Sequence, residues 1–214
     1  MTIDPFSAAI FDLDGTLVQS EHLHRESWIA PLADLGIEVA EDEYARTFAG
    51  KPGMQIIRDT IGLEGDAALV LYERVSTNYW DIATDRVAPT DGVVAFLQLI
   101  TDVPKAVCTS AQSDSAHRML DLLDLTRHFA AVVTASDIAN GKPDPEPFLL
   151  ASKRLAIHST RCIAFEDSAN GLRSARAAGM YCVGIGPGVA YYPELADMWI
   201  DDFVGLDPDG WFAQ

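Results

Sequence analysis

Ile10-Phe11-Asp12-Leu13-Asp14-Gly15-Thr16-Leu17 is the stretch on which the reading of this chain turns. An apolar segment, Ala8 to Phe11, has the character of a short buried strand. It runs out into two carboxylates separated by one leucine. If the strand continues that far, its period of two points Asp12 and Asp14 to the same side. Like charges that close repel, and a bound cation or a raised pKa on one of them relieves the repulsion. Gly15 permits a sharp turn. The plainer reading, a solvated strand end, leaves two charges around an apolar Leu13 unexplained. The pattern is that of a carboxylate nucleophile, a neighbouring acid/base and a metal at the carboxyl end of a strand, where sites in open α/β sheets lie.

Downstream of Leu17 the periodicity changes. Leu23, Trp28, Ile29, Leu32 and Leu35 recur at helical spacing over Ser20 to Leu35, and Gly36 fits the stop. Glu41 to Phe48, Gly53 to Ile61 and Asp66 to Ile82 also read as helices, and no strand is expected between residues 18 and 88. From Pro89 onward strands and helices alternate. Strands are expected at Val103–Cys108, Ala131–Thr134, Cys162–Phe165, Cys182–Ile185 and Trp199-Ile200. Helices are expected after Asp91-Gly92 and over Ser113–Leu125, Asp144–Leu155 and Ser168–Ala178. Alternation of this kind indicates βαβ units and a parallel sheet. The expected fold is therefore α/β: a Rossmann-like core of residues 1–17 and 89–214, interrupted by an all-helical insert of residues 18–88.

Three further polar clusters fall just after expected strands. Thr109-Ser110 follows Ala106-Val107-Cys108, Lys142 lies in Gly141-Lys142-Pro143-Asp144-Pro145 after Ala131–Thr134, and Glu166-Asp167 follows Ile163-Ala164-Phe165. In a parallel sheet these loops open on the same edge as Asp12. Such a set suits phosphoryl transfer. A carboxylate attacks phosphorus, a divalent metal held by carboxylates neutralises phosphate oxygens, and a lysine and a hydroxyl add fixed charge and hydrogen bonds.

Composition narrows the partners. The net charge of −17 disfavours nucleic acid and anionic membrane. Screening over about 8 Å at physiological salt leaves binding of a phosphorylated substrate to cations inside the pocket. No apolar run reaches the roughly 18–20 residues that span a bilayer, and Met1-Thr2-Ile3-Asp4-Pro5 has no signal-like character, so a soluble, cytoplasmic protein is expected; a monomer is the expected state, though no sequence feature sets it. The three cysteines, Cys108, Cys162 and Cys182, match no zinc spacing and are expected to be buried thiols.

Taken in order, Asp12-Leu13-Asp14-Gly15-Thr16, Thr109, Lys142 and Glu166-Asp167 resemble the haloacid dehalogenase superfamily, and the helical insert resembles its small cap. Gly141-Lys142-Pro143-Asp144-Pro145 and Phe165-Glu166-Asp167-Ser168-Ala169-Asn170-Gly171 are similar to the branch holding β-phosphoglucomutase and sugar-phosphate phosphatases. The resemblance covers nearly the whole chain. It implies Asp12 as nucleophile and Asp14 as general acid/base with its main-chain carbonyl on Mg²⁺. It implies Thr109, with Ser110, as phosphoryl-binding and Lys142 as a bridge between phosphoryl group and Asp12. Asp167 is implied as a metal ligand, and Glu166 as a ligand or its support. The implied activity is Mg²⁺-dependent hydrolysis of a small phosphate monoester, a sugar or sugar-acid phosphate, with a phosphosugar mutase as the alternative. A receiver-like phosphoacceptor is the non-enzymatic alternative, but a receiver is shorter, lacks the insert and carries its phosphoacceptor later in the chain.

Other residues carry weaker signals. Thr109 could cap a helix, and Ser168 reads as an N-cap. His24 and Lys51, in the insert, are candidate substrate contacts; a packed His24 and a solvated Lys51 are the plain readings. Arg58 reads as a helix-face charge. Trp28, Tyr72, Tyr79 and Trp80 read as insert core, and Tyr191-Tyr192 carries no role. Where relatives commonly carry Asp after Val18, this chain has Gln19. The mutase branch carries an arginine three residues after the cap-loop glycine, a position that is Gly53 here.

Overall fold

The computed structural model describes residues 5–48 and 51–212. Gly50, from which the cap-loop count starts, lies outside the described residues. The strands and helices in chain order are β1 (Ala8–Phe11), α1 (Glu21–Ala33), α2 (Glu41–Thr47), α3 (Gly53–Ile56), α4 (Gly65–Arg86), α5 (Val93–Leu99), β2 (Lys105–Cys108), α6 (Ser113–Leu122), β3 (Ala131–Val133), α7 (Glu146–Arg154), β4 (Cys162–Glu166), α8 (Ala169–Ala177), β5 (Tyr181–Ile185) and β6 (Met198–Ile200). A π-helical turn, Ile57–Ile61, continues α3. The chain divides into two compact units, Met1–Val18 with Pro89–Gln214 and Gln19–Ala88.

The first unit is a six-stranded sheet in the order β3-β2-β1-β4-β5-β6, with every pair parallel. β1 is central because Ala8 to Phe11 are apolar on both sides, and all four are buried. Strand alternation separates two cores. Ala8 and Ile10 join Ala106, Cys108, Phe148, Ala164 and Leu172 on one face. On the other, Phe11 stacks on Phe165 with ring centres 4.6 Å apart, and Phe96 and Phe203 close around them. The sequence order reverses beside β1, between β2 and β4, and a crevice at such a switch point is where ligands bind in open α/β sheets.

The second unit is helical among its described residues. Trp28, Leu32, Phe48, Ile57, Leu71 and Val75 form its interior, with the Trp28 ring edge-on to Phe48. Arg86 pairs with Glu26 at 2.8 Å between α4 and α1. Gly36, after α1, takes the left-handed φ of +71° and its N–H bonds to the Ala33 carbonyl, which ends the helix.

Several element ends differ from the sequence-based expectation. β1 ends at Phe11, so strand alternation does not set the directions of Asp12 and Asp14. The strand expected from Val103 starts at Lys105, whose ammonium turns back to the carbonyls of Ile100 (2.5 Å) and Val103 (2.7 Å) and closes the end of α5. The helix expected to Leu125 stops at Leu122, and Asp124 then takes a positive φ of 56°. Cys108, Cys162 and Cys182 are buried free thiols. Among the described residues, no helix is long and apolar enough to cross a membrane.

Candidate active site

Register brings the polar clusters together. Phe11 pairs with Val107 on one side and Phe165 on the other, so Asp12 emerges between Cys108 and Glu166. The Asp12 N–H continues the ladder to the Phe165 carbonyl at 2.9 Å. The chain then folds over itself. Leu17 and Val18 N–H groups reach the Leu13 carbonyl at 2.9 and 3.0 Å, and the Gly15 N–H donates to the Val18 carbonyl at 2.8 Å. Gly15 holds φ of +80° in this turn. A Cβ there would stand 2.1 Å from Asp167 Oδ2, so glycine is required both by the backbone and by the carboxylate beside it.

Lys142 ties the strands' ends together. Its Nζ donates to Asp12 Oδ1 at 2.5 Å, Glu166 Oε2 at 2.6 Å and the Cys108 carbonyl at 3.0 Å. It also lies 5.1 Å from the centre of the Phe148 ring. The loop that delivers it is fastened by Glu146, which accepts from the Ala139 and Asn140 N–H groups at 2.8 Å each. Further back, Asp137 and Thr134 form a capping box, and Asp137 pairs with Arg154 at 2.5 Å.

Glu166 has both oxygens engaged. Oε2 accepts from Lys142, while Oε1 accepts from the Ser168 N–H (3.0 Å) and hydroxyl (2.8 Å). Ser168 is the cap of α8, its hydroxyl accepting from the Gly171 N–H at 3.1 Å, and it also holds Glu166. A Cβ on Gly171 would fall 1.8 Å from Glu166 Oε2. That glycine therefore makes room for the folded-back carboxylate.

Carboxylate oxygens of Asp12, Glu166 and Asp167 lie within 4.8 Å of one another, and the Lys142 ammonium pairs with the first two. The imbalance shows in the acidities. Burial pushes Asp12 up to about 8, Glu166 and Asp14 add to it, and Lys142 counters only in part. Burial opposes charge on Lys142 as well, but Asp12 and Glu166 outweigh it and hold its pKa well above the usual lysine value. An all-oxygen, electron-rich cluster of this kind suits a hard divalent cation. The side-chain cradle left by Gly15 beside Asp167 is consistent with that fit.

Thr109 is buried at the end of β2, where its hydroxyl accepts from the Ala111 N–H at 3.0 Å. It does not cap α6, whose cap is Gln112. Ser110 is exposed beside it, and Asp14 is partly buried in the turn. In the helical unit, His24 stacks on Tyr79 with ring centres 4.2 Å apart, Lys51 is exposed ahead of α3, and Arg58 is exposed. Sequence reasoning missed three features: the second bond of Ser168, the room made by Gly171, and Tyr192, whose hydroxyl donates to the Asp167 carbonyl at 2.7 Å. Only Gly171 left a signal, as the glycine closing the motif that starts at Phe165.

Residues 9–185 match the model of the haloacid dehalogenase-like hydrolase family. The chain belongs to that family and is an enzyme. It is 33% identical over 184 residues to a validoxylamine A 7'-phosphate phosphatase from Streptomyces hygroscopicus subsp. limoneus, covering 84% of this chain and 85% of the relative. It is 32% identical over 182 residues to the fructose-1-phosphate phosphatase YqaB of Escherichia coli (strain K12), covering 84% and 96%. A crystal structure of a family IA, variant 3 hydrolase from Entamoeba histolytica shares the fold, with a TM-score of 0.86 at 22% identity over 96% of this chain and 97% of that one.

Proposed function

We propose that this chain is a Mg²⁺-dependent phosphatase that hydrolyses a small phosphate monoester, a sugar or sugar-acid phosphate, through a phosphorylated Asp12. One observation carries the reading: a buried lysine joins Asp12 to Glu166, with Asp167 beside them, at the carboxyl edge of a parallel sheet. Relatives named for validoxylamine A 7'-phosphate and fructose 1-phosphate support the substrate class.

In this proposal the Asp12 carboxylate oxygen bonds to phosphorus as the ester P–O bond breaks. Asp14 gives its proton to the departing alcohol oxygen. Water then attacks the same phosphorus, Asp14 takes the water's proton, and the Asp12–phosphoryl bond breaks to release inorganic phosphate. Lys142 remains an ammonium that orients Asp12 and offsets charge on the phosphoryl oxygens. Thr109 and Ser110 hydrogen-bond those oxygens. Mg²⁺ would be held by Asp12, Asp167 and the Asp14 carbonyl, and its chemistry is to neutralise negative charge on the phosphate. Glu166 supports the site through Lys142, since its oxygens are already engaged. The helical unit takes the part of a cap in this reading, with Lys51 and His24 as candidate contacts to substrate. Gly53 supplies no cation for a second phosphate, which favours hydrolysis over mutase chemistry.

Phosphate release from a panel of sugar phosphates, with Mg²⁺ and with chelator, tests the proposal. Release that requires the metal is expected. Conversion of β-glucose 1-phosphate to glucose 6-phosphate, dependent on added glucose 1,6-bisphosphate and faster than phosphate release, would replace hydrolase by mutase.

A further inference from the structure

We propose that Tyr192 is a positioning residue for the metal-holding loop, fixing Asp167 through a hydrogen bond from its hydroxyl to the Asp167 carbonyl. The inference rests on the reading of Asp167 as a metal ligand.

Asp167 sits between the end of β4 at Glu166 and the cap of α8 at Ser168. Its carbonyl thus lies at a break between two regular ladders, and Tyr192 Oη donates to it at 2.7 Å from a position 25 residues further along. The tyrosine is itself braced. Its N–H and that of Tyr191 both bond to the Gly188 carbonyl, at 3.0 and 2.9 Å. Its ring packs on Trp199 of the edge strand β6, with centres 5.7 Å apart. Trp199 in turn donates from Nε1 to the Pro193 carbonyl at 3.2 Å.

Two glycines make this arrangement possible. Gly184, the register partner of Trp199, has no Cβ where one would stand 2.5 Å from the indole. A Cβ on Gly188 would stand 2.7 Å from Tyr192 Oη and 2.8 Å from the indole. The indole therefore packs over Gly184 and Gly188 and against the tyrosine ring. Tyr191, its neighbour, is 80% exposed.

The reach of the effect follows from how closely Asp167 is fitted. Its carboxylate oxygen occupies the space a Gly15 side chain would need, and it shares a cluster with Asp12 and Glu166. A carbonyl released from Tyr192 lets the Asp167 peptide tilt, and the carboxylate moves with it. Partners that orient metal ligands are worth about 10–100-fold in affinity. One bond to the backbone rather than to the ligand atom itself belongs at the lower end.

Tyr192→Phe removes the hydroxyl and keeps the ring. Mn²⁺ binding to the metal-stripped protein, followed by the electron paramagnetic signal of the free ion, should weaken about tenfold. The rise in melting temperature that saturating Mg²⁺ produces over chelator should shrink in parallel, while turnover at saturating Mg²⁺ stays close to wild type. Tyr181→Phe, at the opposite end of β5, should leave Mn²⁺ affinity unchanged. Equal losses of melting temperature with and without metal, at wild-type Mn²⁺ affinity, would make the Tyr192 hydroxyl a loop fastener and overturn the inference alone. A wild-type protein that neither binds Mn²⁺ nor needs metal for phosphate release would instead overturn the reading of Asp167, and the inference with it.

Discussion

In the helical unit the interior is made of Trp28, Leu32, Phe48, Ile57 and Leu71, side chains that need no specific partner. In the sheet unit the floor is equally apolar, but the carboxyl edge also buries Asp12, Lys142 and Glu166, each fixed at hydrogen-bond distance. The two regions are stabilised differently. An apolar interior tolerates exchange of one hydrophobic residue for another of similar volume. A buried charge cluster does not: loss of the Lys142 ammonium leaves two carboxylates uncompensated, whereas loss of the Asp12 charge still leaves Lys142 paired with Glu166. The buried charged groups are therefore concentrated where the backbone register dictates positions. Charges at the surface of the sheet unit, such as Asp137 with Arg154, fall between these cases.

Loss of the proposed nucleophile should show the contrast at its largest. Asp12→Asn is expected to lower turnover ~10⁴-fold or more, because an amide cannot form the phosphoryl intermediate. Its stability in chelator should equal or slightly exceed wild type, since repulsion from Glu166 and Asp14 is relieved. Turnover near wild type in a pure preparation would remove Asp12 from its role.

Lys142→Met should combine loss of activity with loss of stability of about 3 kcal/mol in chelator, measured by urea denaturation. It leaves two buried carboxylates with no ammonium between them. An unchanged denaturation midpoint would show that the cluster relaxes as readily as the apolar interior does.

The Asp137–Arg154 pair gives an intermediate effect with a defined pH window. The Arg154 hydrogen bond, aided by Thr134, holds Asp137 down at about 2, below the ordinary carboxylate value of 3.8. The unfolded chain therefore binds the proton more readily. The stabilisation is fully present above about pH 4 and disappears as pH falls toward 2. With both side chains partly exposed, Asp137→Asn should cost about 1 kcal/mol at pH 6 after allowance for screening. The gap from wild type should close below pH 4, and a gap independent of pH would point to lost hydrogen bonds rather than charge.

Lys51→Ala should have the smallest effect on stability, within about 0.5 kcal/mol, as expected for an exposed side chain. Catalysis of the preferred sugar phosphate should fall more than that of a small aryl phosphate. Equal ratios to wild type for both substrates would leave Lys51 a solvated charge.

The residues that cluster, Asp12, Lys142, Glu166 and Asp167, were legible in the sequence because each lies at or beyond the end of a strand, and strands are marked by short apolar runs such as Ala8–Phe11 and Ile163–Phe165. Their mutual geometry was less so. The alternation argument for Asp12 and Asp14 failed, as β1 ends at Phe11 and the turn is set by hydrogen bonds to the Leu13 and Val18 carbonyls. Tyr192 was invisible, because a loop tyrosine has no periodicity to betray its contact.

The sequence by itself determined the order of strands and helices, the insertion of a helical block after the first strand, and that Asp12, Lys142, Glu166 and Asp167 each lie at or beyond the end of a strand. Local patterning suffices for these, since burial repeats and turn residues act over a few neighbours. Tertiary structure alone decided that Lys142 reaches Asp12 across 130 residues and Glu166 across 24. It also decided that Gly15 and Gly171 yield space to Asp167 and Glu166, and that Ser168 and Tyr192 hold the intervening loop from two sides. Parallel pairing explains the division: once β1 lies between β2 and β4 in one register, residues far apart in the chain share one edge, and no pattern within any single segment records which atoms then meet.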